Sequence, residues 1–306
     1  MKRHALLALA LMLGLSASAQ QLFVGSYNVR YQNEHDARQG DGWTVRSKAL
    51  CDQIDFEDPD IFGTQEVLYG QLKDMRQMLD HYDFIGVGRD DGKKAGEYAA
   101  IFYKKSRLKL IDDGHFWLNK TPDKPAKGWD AACIRICTWG EFEQKETDFR
   151  FFFFDLHMDH VGTVARRESA KLIVNKIREI AKGAPVVVTG DFNVDQNDSI
   201  FSIFTSSGLL VDSYVVADRR FAENGTFNDF KTDLKSESRI DHVFVSPQFE
   251  VRRYGILTNS YWTADGAQAK QLVKGKNAPQ EINFQHFRRR NPSDHYPVFV
   301  KLEVKD

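Results

Sequence analysis

Apolar positions fall in short runs broken by polar, Gly- and Pro-marked stretches, and strand-like runs outnumber helical ones. Leu22–Arg30 reads as a strand, and a polar, Gly-containing loop follows to Gly42. Val45–Phe56 carries apolar residues near helical spacing (Val45, Ala49, Leu50, Ile54) and stops before Asp58-Pro59. Asp60–Thr64 is predicted to be a short strand leading to Glu66, and Leu68–Leu79 a second helix. Strands are predicted at Phe84–Val87, Ala99–Tyr103, Leu108–Ile111 and Ile134–Phe142. The near-continuous apolar run Arg150–His157 reads as a strand buried on both faces. Arg166–Ala181 is an amphipathic helix stopped by Gly183 and Pro185, and Pro185-Val-Val-Val188 begins another strand. Tyr254–Arg290 is polar and poorly periodic, a long loop excursion able to roof a site. Strands too irregular for regular βαβ winding point to an α/β (α+β) chain with a two-layer sheet core flanked by helices.

Four of these runs end in chemistry. Glu66 lies in Gly-Thr-Gln-Glu-Val, Asp191 and Asn193 in Thr-Gly-Asp-Phe-Asn, Asp241 in Arg-Ile-Asp-His-Val, and Asp294 with His295 in Pro-Ser-Asp-His-Tyr-Pro. Asn28 closes the first strand, and His157, followed by Met-Asp159-His160, closes another. Many carboxylates with few histidines suit a hard, oxygen-preferring cation such as Mg2+ or Mn2+ better than zinc. Such a cation beside two imidazoles is what phosphate-ester hydrolysis requires. In an extended chain Asp191 and Asn193 share a side, so Asp191 can take a proton from water while Asn193 bonds water or phosphate; an Asx turn is the structural alternative. His157 and His295 can stabilise developing charge, or His157 can be structural.

Composition adds limits. Met1-Lys-Arg-His, the apolar run Ala5–Leu15 and Ser16-Ala-Ser-Ala19 have the pattern of a signal peptide cut after Ala19, leaving residues 20–306 as one domain. That run is too short to span a bilayer, and the chain is expected to be exported, to the periplasm or beyond. Loss of Lys2 and Arg3 takes the formal charge from −1 to −3, which argues against gripping long DNA by phosphate contacts alone. Cys51, Cys133 and Cys137 are too few and too odd for a disulfide scaffold and read as buried thiols, the last two on one strand face.

Taken together and in this order, Asn28, Glu66, Glu97, His157, Asp191, Asn193, Asp241, Asp294 and His295 resemble the endonuclease/exonuclease/phosphatase superfamily, the DNase I-like fold. The resemblance implies a four-layer α/β/β/α sandwich. It implies Glu66 as the metal ligand, Asn28 near metal and phosphate, and Asp294 at a second metal position or orienting a histidine. Asp191 would activate water, His295 would polarise the phosphate, and Asp241 and His157 would bind or protonate its oxygens. Glu97 would support His157 from behind. Members that cut abasic DNA carry a tyrosine segment where this chain has Asp155-Leu-His157, so the likeness is to the histidine branch.

Gly128–Trp139 resembles a segment of secreted bacterial members. There Arg135 can fork onto a phosphate or make an internal ion pair, and Trp129 can stack on a ring or sit in the core; His160 is a further candidate for substrate binding. Arg46 reads as a helix-face charge, and Arg288-Arg289-Arg290 as a solvated or steering run. The expected activity is metal-dependent hydrolysis of a phosphodiester, nuclease-like, by a monomer needing no protein partner. The alternatives are a phosphatase or phospholipase C-type enzyme on inositol phosphates or phospholipid head groups, and a non-catalytic binding module. A Walker loop, zinc cysteine pair and nucleophile elbow are absent from the sequence.

Overall fold

The computed structural model describes residues 20–305, so the expected leader lies outside the described residues. Strand β1 (Gln21–Asn28) leads through helices α1 (Glu34–Gln39) and α2 (Trp43–Glu57) to β2 (Ile61–Val67), α3 (Tyr69–Met78), β3 (Tyr82–Ile85) and β4 (Tyr98–Lys104). Strands β5 (Leu108–Trp117), β6 (Ile136–Gln144) and β7 (Arg150–His157) follow, then α4 (Thr163–Ala181) and β8 (Val186–Asp191). Next come α5 (Phe201–Thr205), β9 (Val211–Asp212), α6 (Ser213–Val216), β10 (Arg219–Phe221), β11 (Asp241–Val245) and β12 (Phe249–Ile256). An excursion carries β13 (Tyr261–Ala264), β14 (Leu272–Val273), β15 (Phe284–Gln285) and β16 (Phe287–Arg290) before β17 (Val298–Val304).

The strands build a seven-stranded sheet ordered β10-β12-β17-β1-β2-β4-β3 and a six-stranded sheet ordered β5-β6-β7-β8-β11-β9. Only β1/β2, β7/β8 and β10/β12 run parallel among the pairs in these sheets. Parallel neighbours need a crossover, which α2 supplies for the first pair and α4 for the second. Between the sheets, Val24, Ile61, Phe151, Phe153, Val187, Val243 and Val300 are fully buried. Leu50, Ile54, Leu72 and Met75 of α2 and α3 pack on Phe62 and Phe102 outside the first sheet. Ala170, Ile173 and Ile177 of α4 pack on Phe154, Leu156 and Val188 outside the second. The layers are therefore helix, sheet, sheet, helix. Each fully buried Phe, Leu or Ile contributes about 1.5–3 kcal/mol relative to exposure, so this layering is held mainly by apolar burial.

Several expectations need correction. The loop to Gly42 contains α1, whose N-cap Asn33 accepts from the Asp36 amide; Asn competes for caps through such bonds. Glu66 lies inside β2, not beyond it. Ile134 and Cys133 precede β6, so Cys133 and Cys137 do not share a strand, and Cys133 is only half-buried. Tyr254 sits in β12, and the excursion after it is two small ribbons, β13/β16 and β14/β15, not an unstructured loop. Short two- to four-residue strands give too few positions for a period-two signal. Gly190 lies within β8. Its φ of +155° and the Leu156 carbonyl lying where a Cβ would project both require glycine.

Arg46 is the largest departure: it is fully buried. It donates to the carbonyls of Asp41 (3.0 Å), Val29 (2.6 Å), Arg30 (2.6 Å) and Pro292 (3.0 Å). Its guanidinium ties the chain just after β1 to the chain just before Asp294. The Arg288–Arg290 run is engaged as well: Arg290 bonds Asp41 at 2.6 Å and Thr263 at 3.1 Å, Arg288 pairs with Asp265 at 3.5 Å, and Arg289 bonds the Thr232 carbonyl.

Candidate active site

Strand register brings the chemistry together. His157 at the end of β7 faces Asp191 at the end of β8, and Asp191 faces Asp241 at the start of β11. Three adjacent strands of one sheet thus present one row of acid and imidazole. In the other sheet Asn28 ends β1 beside Gln65 of β2. Glu66 follows at a register shift between Thr64 and Val67, with φ +64°. A bulge with left-handed backbone at a non-glycine residue is strained and is tolerated where it re-aims a side chain. Here it turns Glu66 inward, with Asn28 Nδ2 donating to Glu66 Oε1 at 3.1 Å and to Asp191 Oδ2 at 3.0 Å. Asn28 thereby bridges the two sheets.

His295 completes the cluster. Its Nδ1 lies 2.8 Å from Asp241 Oδ2 and its Nε2 3.8 Å from Asp191 Oδ2. His157 Nε2 lies 3.4 Å from the same Asp191 oxygen. The Ser293 hydroxyl donates to the Asn28 carbonyl at 2.7 Å, fixing the Asp294-His295 turn to the end of β1. The Asp294 carbonyl accepts from the Asn228 and Asp229 amides, and Phe227 meets the His295 ring edge-on at 5.0 Å.

Burial and neighbouring charges together set the protonation states. Asp191 is pushed up to about 7 by burial and then by the Asp241 charge. Burial also raises Asp294, to about 6, with Glu66 adding to it. Burial alone would lower His295, but the Asp241 carboxylate outweighs it and holds this imidazole well above its usual range. His157 is held well below that range by burial and by Arg135 and Arg89, and so is neutral. A charged and a neutral imidazole therefore flank one carboxylate.

The donors fit a divalent cation. Ligand atoms of Glu66, His157 and Asp191 lie within 4.8 Å of one another, as do those of Asp191, Asp241 and His295. Asp294 is adjacent through Arg30, whose Nη1 is 3.4 Å from Asp294 and 3.9 Å from Glu66. Crowded carboxylates with raised affinity for protons signal a shortage of positive charge, which a hard cation would relieve.

Other expected residues sit differently. Asn193 has φ +50°, so it is not on an extended chain with Asp191. Its backbone N–H caps Asp191 Oδ1 (3.0 Å) in an Asx turn, while its side chain donates to the Met158 carbonyl (3.0 Å). Glu97 does not hydrogen-bond His157: its carboxylate is 3.9 Å from Nδ1 and is instead forked by Arg89 at 2.6 and 2.8 Å. Arg135 is buried, 3.5 Å from Asp159, with Nη2 2.9 Å from His160 Nδ1. His160 is exposed and Trp129 half-exposed, beside Asp130, which caps the first turn of α4 through Ala165 and Val164. Arg30, Arg89 and Ser293 join the site without having been expected. Ser293 lies inside a motif that pointed there, whereas Arg89, in the loop after β3, lies in no motif that signalled a site.

The signature of the Endonuclease/Exonuclease/phosphatase family matches residues 25–295, and the chain belongs to that family. It is a hydrolase of phosphate esters, on a DNase I-like fold, in a family whose enzymes generally use divalent metals. A family member from Bacteroides thetaiotaomicron is 47% identical, with TM-score 0.87 over 94% of this chain and 99% of that one. A mannosyl-6-phosphatase of the same organism is 48% identical, with TM-score 0.84 over 92% and 99%. The exoribonuclease subunit Ccr4 of Debaryomyces hansenii is 22% identical, covering 86% of this chain but 36% of that protein. The chain thus spans about a third of that relative's length.

Proposed function

We propose that this chain is an exported phosphatase that removes a phosphate monoester from a sugar-containing substrate with the help of Mg2+ or Mn2+. The observation that carries the hydrolytic part is the convergence of Asp191, His157, Asp241 and His295 on one row with Asn28 and Glu66. The substrate class is supported by the 48% identity to a mannosyl-6-phosphatase. Export rests on the pattern of residues 1–19.

Glu66, Asn28 and Asp294 would hold the cation, which supplies charge neutralisation at the phosphoryl oxygens. Asp191, poised near neutrality, accepts a proton from water as the water oxygen bonds to phosphorus. The ester P–O bond opens opposite, and the leaving oxygen takes a proton from solvent water and departs as the alcohol. His295, charged through Asp241, donates to a phosphoryl oxygen, and His157 holds the Asp191 carboxylate.

The Ccr4 likeness favours a second reading, a phosphodiesterase on RNA. Release of phosphate from mannose 6-phosphate, compared with hydrolysis of bis(p-nitrophenyl) phosphate and single-stranded RNA, separates them. The phosphatase reading predicts the first as the best substrate. Preference for RNA would overturn it.

A further inference from the structure

Arg135 is 4% exposed, yet its Nε and Nη1 have no hydrogen-bond partner. An unmatched donor on a buried guanidinium costs about 1–3 kcal/mol or more unless something meets it. The neighbours that could meet it are already taken. Asp159 accepts from the backbone amides of Cys133 (3.1 Å), Val161 (3.0 Å) and Gly162 (2.7 Å), and its 3.5 Å approach to Arg135 Nε lacks hydrogen-bond geometry. Glu97 is spent on the Arg89 fork. Arg89 Nε is likewise buried without a partner. Both arginines stand near His157: Arg89 forks Glu97, whose carboxylate is 3.9 Å from His157 Nδ1, and Arg135 lies two residues before Cys137, which pairs with Leu156, and meets His160. His157 Nδ1 is itself unpartnered.

We infer that Arg135, backed by Arg89, is the subsite that selects a terminal, doubly charged phosphate over a diester. The inference rests on the phosphatase reading above. A monoester carries three non-bridging oxygens and a charge near −2 at neutral pH, since its second proton leaves near pH 6. A cation held at Glu66 would neutralise one of those oxygens, and His295 would donate to a second. That leaves a third oxygen for the free Nε–H and Nη1–H groups of Arg135, whose Nη2 is already on His160. In a diester that oxygen carries a carbon substituent. It can neither use these donors nor leave them solvated, and a buried polar site rejects ligands that leave it unpaired.

The direct test titrates the full-length mature protein, in Mg2+, with inorganic phosphate and with dimethyl phosphate by calorimetry. Phosphate is expected to bind at least tenfold tighter, and equal affinities would overturn the proposal without any variant. Arg135→Met and Arg135→Lys then follow, with kcat/KM measured on p-nitrophenyl phosphate and bis(p-nitrophenyl) phosphate. Arg135→Met should lower the monoester value about a hundredfold, the scale of one hydrogen bond to a charged group, chiefly through KM, and the diester value by less than about fivefold. Arg135→Lys should recover part of the loss. Equal losses on both substrates, or none, would refute the assignment. If the wild type does not hydrolyse monoesters, the phosphatase reading fails, and the same calorimetric comparison on Arg135→Met still decides the role of the arginine: a phosphate preference unchanged in the variant would refute it.

Discussion

Arg46→Ala tests whether the site is held together from beneath. The guanidinium serves four backbone carbonyls, at Val29, Arg30, Asp41 and Pro292, and lies over the Trp43 and Phe230 rings at 5.1 and 5.7 Å. Truncation strips donors from all four acceptors and opens a cavity. A buried acceptor left unpaired costs about 1–3 kcal/mol. Water entering the cavity recovers part of the sum, and the desolvation cost of the charge itself disappears. The balance is a loss of about 4 kcal/mol, within the range for breaking a buried charged network. That is a large share of the ~5–15 kcal/mol stability of a typical domain. For a chain of this size it corresponds to a fall of roughly 7 °C in Tm. Urea unfolding followed by tryptophan fluorescence measures it directly, with the midpoint falling at unchanged slope. Because Val29 adjoins Asn28 and Pro292 lies two residues before Asp294, turnover should also drop below the folded fraction. A loss under about 1 kcal/mol would refute the network, since a surface arginine gives that value.

Three further outcomes follow. His242 is fully buried against Phe192, Phe201 and Phe244, and burial and then Arg239 lower it to about 4 from 6.5. Its neutral form is the folded one, so its contribution is present above pH 6.5 and is lost as pH falls from 6.5 toward 4. The loss is about 3 kcal/mol, and His242→Gln should remove that part of the acid limb in pH-dependent urea titrations. Burial holds the Asp155 carboxyl well above its usual range while Gln65 (2.6 Å) and Thr189 (2.8 Å) donate to it. It therefore stabilises the fold only below the ordinary carboxylate range and loses that contribution as pH rises. Asp155→Asn should be neutral or stabilising at pH 7 by calorimetric Tm, and a loss above about 1 kcal/mol would contradict this. Chelation of the metal should lower Tm in the wild type and leave Glu66→Gln nearly unmoved, because a cation stabilises the fold only as far as it binds and the variant lacks the carboxylate that would hold it.

Much of this molecule is readable from residue order because its chemistry sits at strand ends. Val187 and Val188 announce β8, and Asp191 follows at its close; the run Arg150–Leu156 announces β7 and His157. Local pattern reaches that far. It does not reach the φ of +64° that turns Glu66 inward, which depends on the neighbouring strand; the +50° at Asn193 belongs to the Asx turn that the motif offered as its alternative. Arg46 was misread because its partners are backbone carbonyls, which carry no residue signature. Glu97 likewise found Arg89, eight residues away, before it could reach His157.

The central claim is metal-assisted removal of a terminal phosphate by Asp191, and one measurement tests it most directly. Phosphate release from mannose 6-phosphate is followed for the wild type and Asp191→Ala, each with Mg2+ and with chelator. The account predicts turnover only in the wild type with metal, with the variant down by at least about a thousandfold and still folded. Turnover that survives either the chelator or the substitution would contradict it.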